Sequence, residues 1–290
     1  MDYPYDYAVI GGDMRQVYLA ELLKNKGYRV ITYGIGSRFI PEDSFTERNA
    51  TETAALAQNI ICPMPFAEKN GILFHKFNME DITVLHFISA LKKGQRLFAG
   101  AFPENIQKAA EEKGIICFDF MKEDSVAVLN SIATAEGAIA EAITRYPYNL
   151  QNSKVLVSGF GRCGKTLALK LKSLVKSIEV TVRNQDQKAL AESWGLTGVS
   201  SELLEEGIGS YDLIFNTVPS VFFHESLLSK MKEGICILDL ASAPGGVDYQ
   251  AAQKLNIDAG LYPGLPGRYS PGASAEILAD FILQHSKLRE

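Results

Sequence analysis

Residues 159–166 read GFGRCGKT and constrain this chain more tightly than any other stretch of it. The run satisfies two phosphate-binding patterns, G-x-G-x-x-G of dinucleotide folds and G-x-x-x-x-G-K-[ST] of P-loop nucleotide hydrolases. Both patterns use glycines where the backbone must approach an oxyanion, and both point the next helix's unpaired N–H groups at it. The loop must therefore join a strand to a helix, and the apolar run at 155–158 supplies the strand. A chain built around that unit folds as an open, mostly parallel α/β sheet.

The rest of the chain follows the same grammar. Strand-length apolar runs at 7–10, 29–33, 59–62, 96–99 and 115–118 alternate with helical stretches at 14–26, 51–57, 82–91 and 104–113. A second series has strands at 155–158, 178–182, 213–216, 235–238 and 258–261, closed by a helix at 273–288. Between the series, residues 124–145 form a helix pattern whose apolar positions surround it, so burial between two bodies is expected. Pro147 and its polar neighbours then break the pattern at 146–153. The expected fold class is α/β, with two Rossmann-like doubly wound parallel-sheet domains joined by a long buried helix. The expected division is a substrate or partner domain at 1–123, the interdomain helix at 124–148, an NAD(P)-binding Rossmann domain at 149–272, and a helix at 273–290 returning to the first domain.

Composition narrows the function. With 290 residues, 47% of them hydrophobic, the chain can bury two cores. Its net charge of -5 speaks against nucleic acid, whose binding needs a basic stripe to displace counterions. The opening MDYPYDYAVIGG has no basic segment leading into an apolar one, and no stretch reaches the roughly 20 apolar residues that span a bilayer. A cytoplasmic protein without membrane contact is the expectation. Cys62, Cys117, Cys163 and Cys236 are dispersed and without a histidine cluster, so no metal and no disulfide framework is expected. Cys163, inside the glycine turn, either carries a thiol pKa lowered by the helix N-terminus or is a small residue that fits there.

A P-loop needs Lys165, Thr166 and an acid at the end of a later strand, and ILDL supplies Asp239. The dinucleotide reading needs Gly159, Gly161 and Gly164, with Arg162 and Cys163 in the turn, and a discriminating residue at the end of the second strand. Arg183 and Asn184 stand there. A carboxylate at that place would read the ribose diol of NAD, whereas an arginine suits the 2′-phosphate of NADP in a contact worth about 1.5–3 kcal/mol. Thr217, Val218 and Pro219 in FNTVPS, and Asp239 and Ala241 after the next strand, reach the same carboxyl edge, where open sheets bind ligands. Alone they read equally well as turn residues. Beside Arg183 they favour NADP, with NAD the less expected cofactor.

VIGGDMRQ at 9–16, NSIATAEGAI at 130–139, VSGFGRCGKT, and LYPGLPGRYSPGASAEIL near the C-terminus occur here in one order. On these motifs the chain resembles the A-subunit family of dipicolinate synthase over nearly its whole length, a family similar to two-domain 2-hydroxyacid and alanine dehydrogenases. The resemblance implies NADP-linked formation of pyridine-2,6-dicarboxylate from a dihydrodipicolinate-level precursor of the lysine pathway, in the mother cell of a sporulating bacterium. It also implies the flavoprotein-like B-subunit of dipicolinate synthase as partner, and self-association.

A dicarboxylate substrate wants arginines or backbone N–H nests, which makes Arg15, Gln16, Arg268 and the Gly245-Gly246 turn candidates. Asn130 and Thr134 join them because they share one helix face, while Glu136 points away. His75, His86, His224 and His285 lack the late, post-proline setting of a hydroxyacid dehydrogenase base. Ring dehydrogenation, driven by aromaticity, fits better than alcohol oxidation, and no catalytic base is assigned. Three other readings stay open: another two-domain dehydrogenase of hydroxy or amino acids, a P-loop ATP-binding protein, and a non-catalytic dinucleotide-sensing scaffold.

Overall fold

The computed structural model describes residues 3–36 and 49–286. Its first elements are β1 (Tyr5–Ile10), α1 (Met14–Asn25), β2 (Val30–Tyr33), α2 (Ala50–Ala54), β3 (Ala57–Ile61), α3 (Val84–Ala90), β4 (Arg96–Ala99), α4 (Glu104–Glu112) and β5 (Ile116–Asp119). The long helix α5 (Asp124–Arg145) follows, then β6 (Lys154–Ser158), α6 (Arg162–Leu171), β7 (Ser177–Thr181), α7 (Gln185–Ser193), β8 (Thr197–Val199), α8 (Ser201–Gly207) and β9 (Leu213–Asn216). The chain ends with α9 (Glu225–Leu228), β10 (Cys236–Asp239), α10 (Tyr249–Lys254), β11 (Asp258–Leu261), α11 (Leu265–Tyr269) and α12 (Pro271–His285).

Two compact units result, Met1–Leu129 with Ser270–Glu290, and Asn130–Tyr269. The division falls inside α5 and just before α12, not in the polar stretch at 146–153. That stretch is held in the second unit, because Tyr146 is buried in its core and the Ser153 carbonyl accepts from the N–H groups of Lys176 and Ser177. Polar composition marked a turn there, not a linker.

The first unit is a five-stranded parallel sheet in the order β2-β1-β3-β4-β5. Alternation along β1 builds its two cores: Ala8 and Ile10 meet Phe66 and Phe87, while Tyr7 and Val9 pack with α1 and α12. Leu278, Phe281 and Ile282 of α12 are almost wholly buried there, each burial worth about 1.5–3 kcal/mol, which fastens the end of the chain to the first unit. Phe98 and Phe118 stack at 4.7 Å, with the edge of Phe281 against both.

The second unit is a six-stranded parallel sheet in the order β11-β10-β9-β6-β7-β8. Its order reverses between β6 and β9, the arrangement of doubly wound nucleotide-binding sheets, which take ligands at that reversal. Val155 and Val157 of β6 face one core while Leu156 faces the other.

Helix α5 departs from expectation. Ala133, Ala135, Ala138 and Ala142 are buried, but Val128, Leu129, Ile132 and Ile143 are 47%, 47%, 42% and 64% exposed. Small residues carry its packing on one side, so an apolar circumference did not mean burial all round. By length and composition α5 is also apolar enough to cross a membrane, contrary to the expectation of no such stretch. Half of that stretch is buried inside the protein, as in a core helix.

Candidate functional site

The glycine turn between β6 and α6 has the geometry each of its glycines demands. Gly159 has φ +98°, and a Cβ on it would stand 2.4 Å from Thr217 Oγ1. A Cβ on Gly164 would lie 2.0 Å from the Gly159 carbonyl oxygen, so α6 packs against the turn as only a glycine allows. Gly161 differs from both: a Cβ there would meet nothing within 4 Å. The first and third glycines serve the fold, and the second keeps open space where a ligand approaches. Gly161 is also the N-cap of α6 and provides no side-chain cap, leaving the first N–H groups of that helix without one. The first turn of α6 has no acid and carries Arg162 at its start, with the Lys165 ammonium 5.4 Å from the centre of the Phe160 ring.

The turn is pinned from two neighbouring strands. Thr181 Oγ1 at the end of β7 accepts from the Gly159 N–H at 2.6 Å. The Thr217 N–H and hydroxyl both donate to the Ser158 carbonyl at 2.8 Å. Ser158 Oγ, fully buried beneath, has no partner among the described residues. These residues fit a dinucleotide, with the phosphates against Gly161 and the α6 N-terminus.

Other loops at the carboxyl edges are closed by the protein's own carboxylates. Asp119 accepts from the N–H groups of Ala101, Phe102 and Met121. Asp239 accepts from Asn216 Nδ2, the Ala241 and Gly246 N–H groups and the Tyr249 hydroxyl, and has no exposed surface. The Asp239 carboxylate and the Ala241 and Gly246 N–H groups are therefore engaged with one another inside the protein.

The same facts remove the P-loop reading. Asp239 has no free lone pair for magnesium, and the Thr166 hydroxyl is held by Ser131 at 2.7 Å and the Arg162 carbonyl at 3.1 Å. Burial pushes the Cys163 thiol up, against a smaller lowering by Arg162, which agrees with the reading of Cys163 as a small residue that fits the turn.

Arg183 is exposed just beyond β7, and its guanidinium has no hydrogen bond or ion pair among the described residues. Asn184 is the N-cap of α7, its Oδ1 accepting from the Gln187 N–H at 2.9 Å. Val218 and Pro219 continue the turn after β9, with Val218 Cγ2 3.2 Å from the place of a Gly159 Cβ. Gly159, Gly161, Arg162, Gly164, Thr217 and Val218 thus gather around one turn.

Arg15 is not the solvent-facing cation expected of a substrate clamp. It is 3% exposed, pairs with Asp13 through Nε and Nη2, and donates from Nη2 to the Met64 carbonyl at 2.5 Å. Burial raises Asp13 and the hydrogen bond and charge of Arg15 lower it more, so its carboxyl titrates below the ordinary value. Gln16 forms a capping box with Asp13 through Oε1, while its buried Nε2 has no partner among the described residues. Arg268 pairs with Glu141 of α5 at 2.8 Å and lies beside Tyr269. That pairing links α11 to α5, with the Arg268 side chain still 47% exposed. Thr134 donates to the Asn130 carbonyl, and the two residues lie about 10 and about 16 Å along the helix from Glu141 at 1.5 Å per residue. Glu136 pairs with Lys170 at the surface. Both nitrogens of His75 are engaged, with the Phe77 carbonyl and with Asp81, each at 3.0 Å. Tyr249 and Ser158 were not anticipated from sequence. Only the aromatic after the GGVD stretch offered a signal for the first.

Parallel order, reversal point and an open glycine turn define the class of two-domain, dehydrogenase-like α/β proteins. The family model for the N-terminal domain of the dipicolinate synthase A-subunit matches residues 6–121. The A-subunit of dipicolinate synthase from Bacillus subtilis (strain 168) is 31% identical over 280 residues, covering 95% of this chain and 93% of the relative. The crystal structure of that Bacillus subtilis protein is similar with a TM-score of 0.82 at 29% identity, covering 98% of this chain and 96% of that one. The corresponding structure from Bacillus halodurans gives 0.84 at 25% identity, covering 98% of each. The chain belongs to the A-subunit family of dipicolinate synthase. A transhydrogenase from Sinorhizobium meliloti, with a TM-score of 0.66 at 19% identity over 96% of this chain and 93% of that one, shares the fold.

Proposed function

We propose that this protein is an NADP-dependent oxidoreductase that takes a dihydrodipicolinate-level precursor to pyridine-2,6-dicarboxylate. The observation that carries the cofactor half is the pairing of an open Gly161 with an uncommitted Arg183 at the next strand end. Bound NADP supplies the hydride acceptor. The α6 N-terminus and Arg162 hold its pyrophosphate, and Arg183 with the Asn184 amide reads the 2′-phosphate. Ordered donors in the first unit take the substrate carboxylates: the Nη1 edge of Arg15, with its charge offset by Asp13, and the unpartnered Nε2 of Gln16. Asn130 and Thr134, on one face of α5, are the remaining substrate candidates. No histidine is required, because aromaticity drives loss of a hydride from one ring carbon and a proton from its neighbour. By family, the working assembly includes the flavoprotein-like B-subunit of dipicolinate synthase and self-association, in the cytoplasm of a sporulating mother cell.

The test supplies dihydrodipicolinate generated in situ to the protein together with that flavoprotein-like partner, with NADP or NAD, and follows pyridine-dicarboxylate and reduced-cofactor absorbance together. Equal rates with both cofactors would remove the role of Arg183. No product with either would sink the reaction.

A further inference from the structure

Asp239 ends β10 with both oxygens fully subscribed. Oδ1 accepts from Asn216 Nδ2 at 2.8 Å and the Ala241 N–H at 3.0 Å, and Oδ2 from the Gly246 N–H at 2.6 Å and the Tyr249 hydroxyl at 2.7 Å. Three segments therefore meet on one buried carboxylate: the turn after β9, the loop after β10 and the start of α10. The connection continues through Asn216, which grips Val218 at its N–H at 3.1 Å and its carbonyl at 3.0 Å. Val218 lies against Gly159, as its Cγ2 shows at 3.2 Å from that residue's Cβ position.

The loop closes on Asp239 only because it is glycine there. A Cβ on Gly245 would lie 2.5 Å from Asp239 Oδ2, and one on Gly246 2.3 Å from Asn216 Nδ2. Burial, and then the hydrogen bond to Asp239 and its charge, push the Tyr249 phenol well up, so its hydroxyl remains a donor.

We infer that Asp239 and Tyr249 are positioning residues for the nicotinamide-bearing half of a bound dinucleotide, acting through Asn216 on the Val218–Pro219 turn. The inference rests on the dinucleotide reading above. Doubly wound sheets bind one mononucleotide on each half, and Arg183 places the adenosine half over β6 to β8, leaving β9 to β11 for the other. Loosening Asp239 moves a wall of the second half and leaves the first as it is.

The test titrates full-length Tyr249→Phe and Asp239→Asn with NADP and with adenosine 2′,5′-bisphosphate, a ligand that fills the first half alone. Tyr249→Phe keeps the ring and loses one donor to a charged acceptor, so NADP should bind about three- to tenfold more weakly. Asp239→Asn turns an amide N–H toward donors, and the loss should exceed about tenfold. Bisphosphate affinity should stay unchanged in both. Equal losses for the two ligands would mean that the carboxylate only holds the fold, and unchanged NADP affinity in both variants would mean that the turn does not need it. Either result overturns the inference. If Asp239→Asn does not fold, the half-buried Tyr249→Phe decides. Wild-type protein that binds neither ligand overturns the dinucleotide reading, and this inference with it.

Discussion

Alanine at Gly161 separates ligand binding from folding, because the two outer glycines of the turn face protein and this one faces open space. The Gly161 backbone has φ −85° and ψ −165°, extended geometry open to any L-residue, and a new Cβ would meet nothing within 4 Å. An alanine N-cap is poorer than glycine by a few tenths to about 1 kcal/mol. The reduced freedom of the unfolded chain returns about 0.4–1 kcal/mol. Stability should stay within about 0.5 kcal/mol of wild type, a Tm shift of no more than about 2 °C. The methyl group stands where the pyrophosphate would lie, and overpacking costs about 1–3 kcal/mol. NADP affinity should fall about 5- to 150-fold. Gly164→Ala should do the reverse. Its Cβ would sit 2.0 Å from the Gly159 oxygen and 2.9 Å from its carbonyl carbon, both backbone atoms, so helix and turn must part. The expected loss is about 1–3 kcal/mol, or roughly 2–12 °C in Tm. Calorimetric unfolding measures the first quantity. Titration followed by the fluorescence of Trp194, the sole tryptophan, 5.7 Å from Phe160 in the turn, measures the second. A folded Gly161→Ala protein that binds NADP as tightly as wild type would remove the pyrophosphate from this turn.

Further expectations follow from the polar groups. Arg183→Gln should weaken NADP by about one to two decades while NAD changes by less than about threefold, read by parallel calorimetric titrations; equal losses would dismiss the 2′-phosphate contact. Arg15→Met leaves the Asp13 carboxylate buried without its partner, at a cost of about 3–5 kcal/mol in urea unfolding, and a loss below about 1 kcal/mol would show the pair to be dispensable. Asp13 and Asp258 have lowered folded-state values, Asp258 mainly through its hydrogen bond to Arg145. Their stabilisation is therefore complete above the unfolded aspartate value of about 3.9 and disappears as pH falls through the folded values. Urea midpoints between about pH 7 and pH 3 should show that acid slope, and Arg145→Met should flatten part of it; an identical slope in the variant would assign it elsewhere.

What sequence made legible and what it did not divide along a physical line. The alternating strands and helices and the glycine turn were readable because periodicity and backbone sterics act over a few residues. β8, with three residues, was too short to show a period. Apolar residues all around α5 fitted either full burial or one-sided packing, and only the alanines on one side decide between them. Polar partners were the illegible part. Arg268 meets Glu141 across 127 positions of sequence, and Asp239 meets Asn216 across 23 and Tyr249 across 10. No local rule states that such groups are already satisfied. Gln16 is the instructive exception, since Asp13 three residues before it spells a capping box, a local claim on the Gln16 Oε1. Chemistry-bearing residue types at a sheet edge therefore mark a site only after the internal hydrogen bonds have taken their share. At the carboxyl edge of the second unit, that subtraction removes Asp239 and the Gly246 and Ala241 N–H groups. It leaves the open face of Gly161 and the exposed guanidinium of Arg183, a pair whose chemistry asks for a phosphorylated ligand.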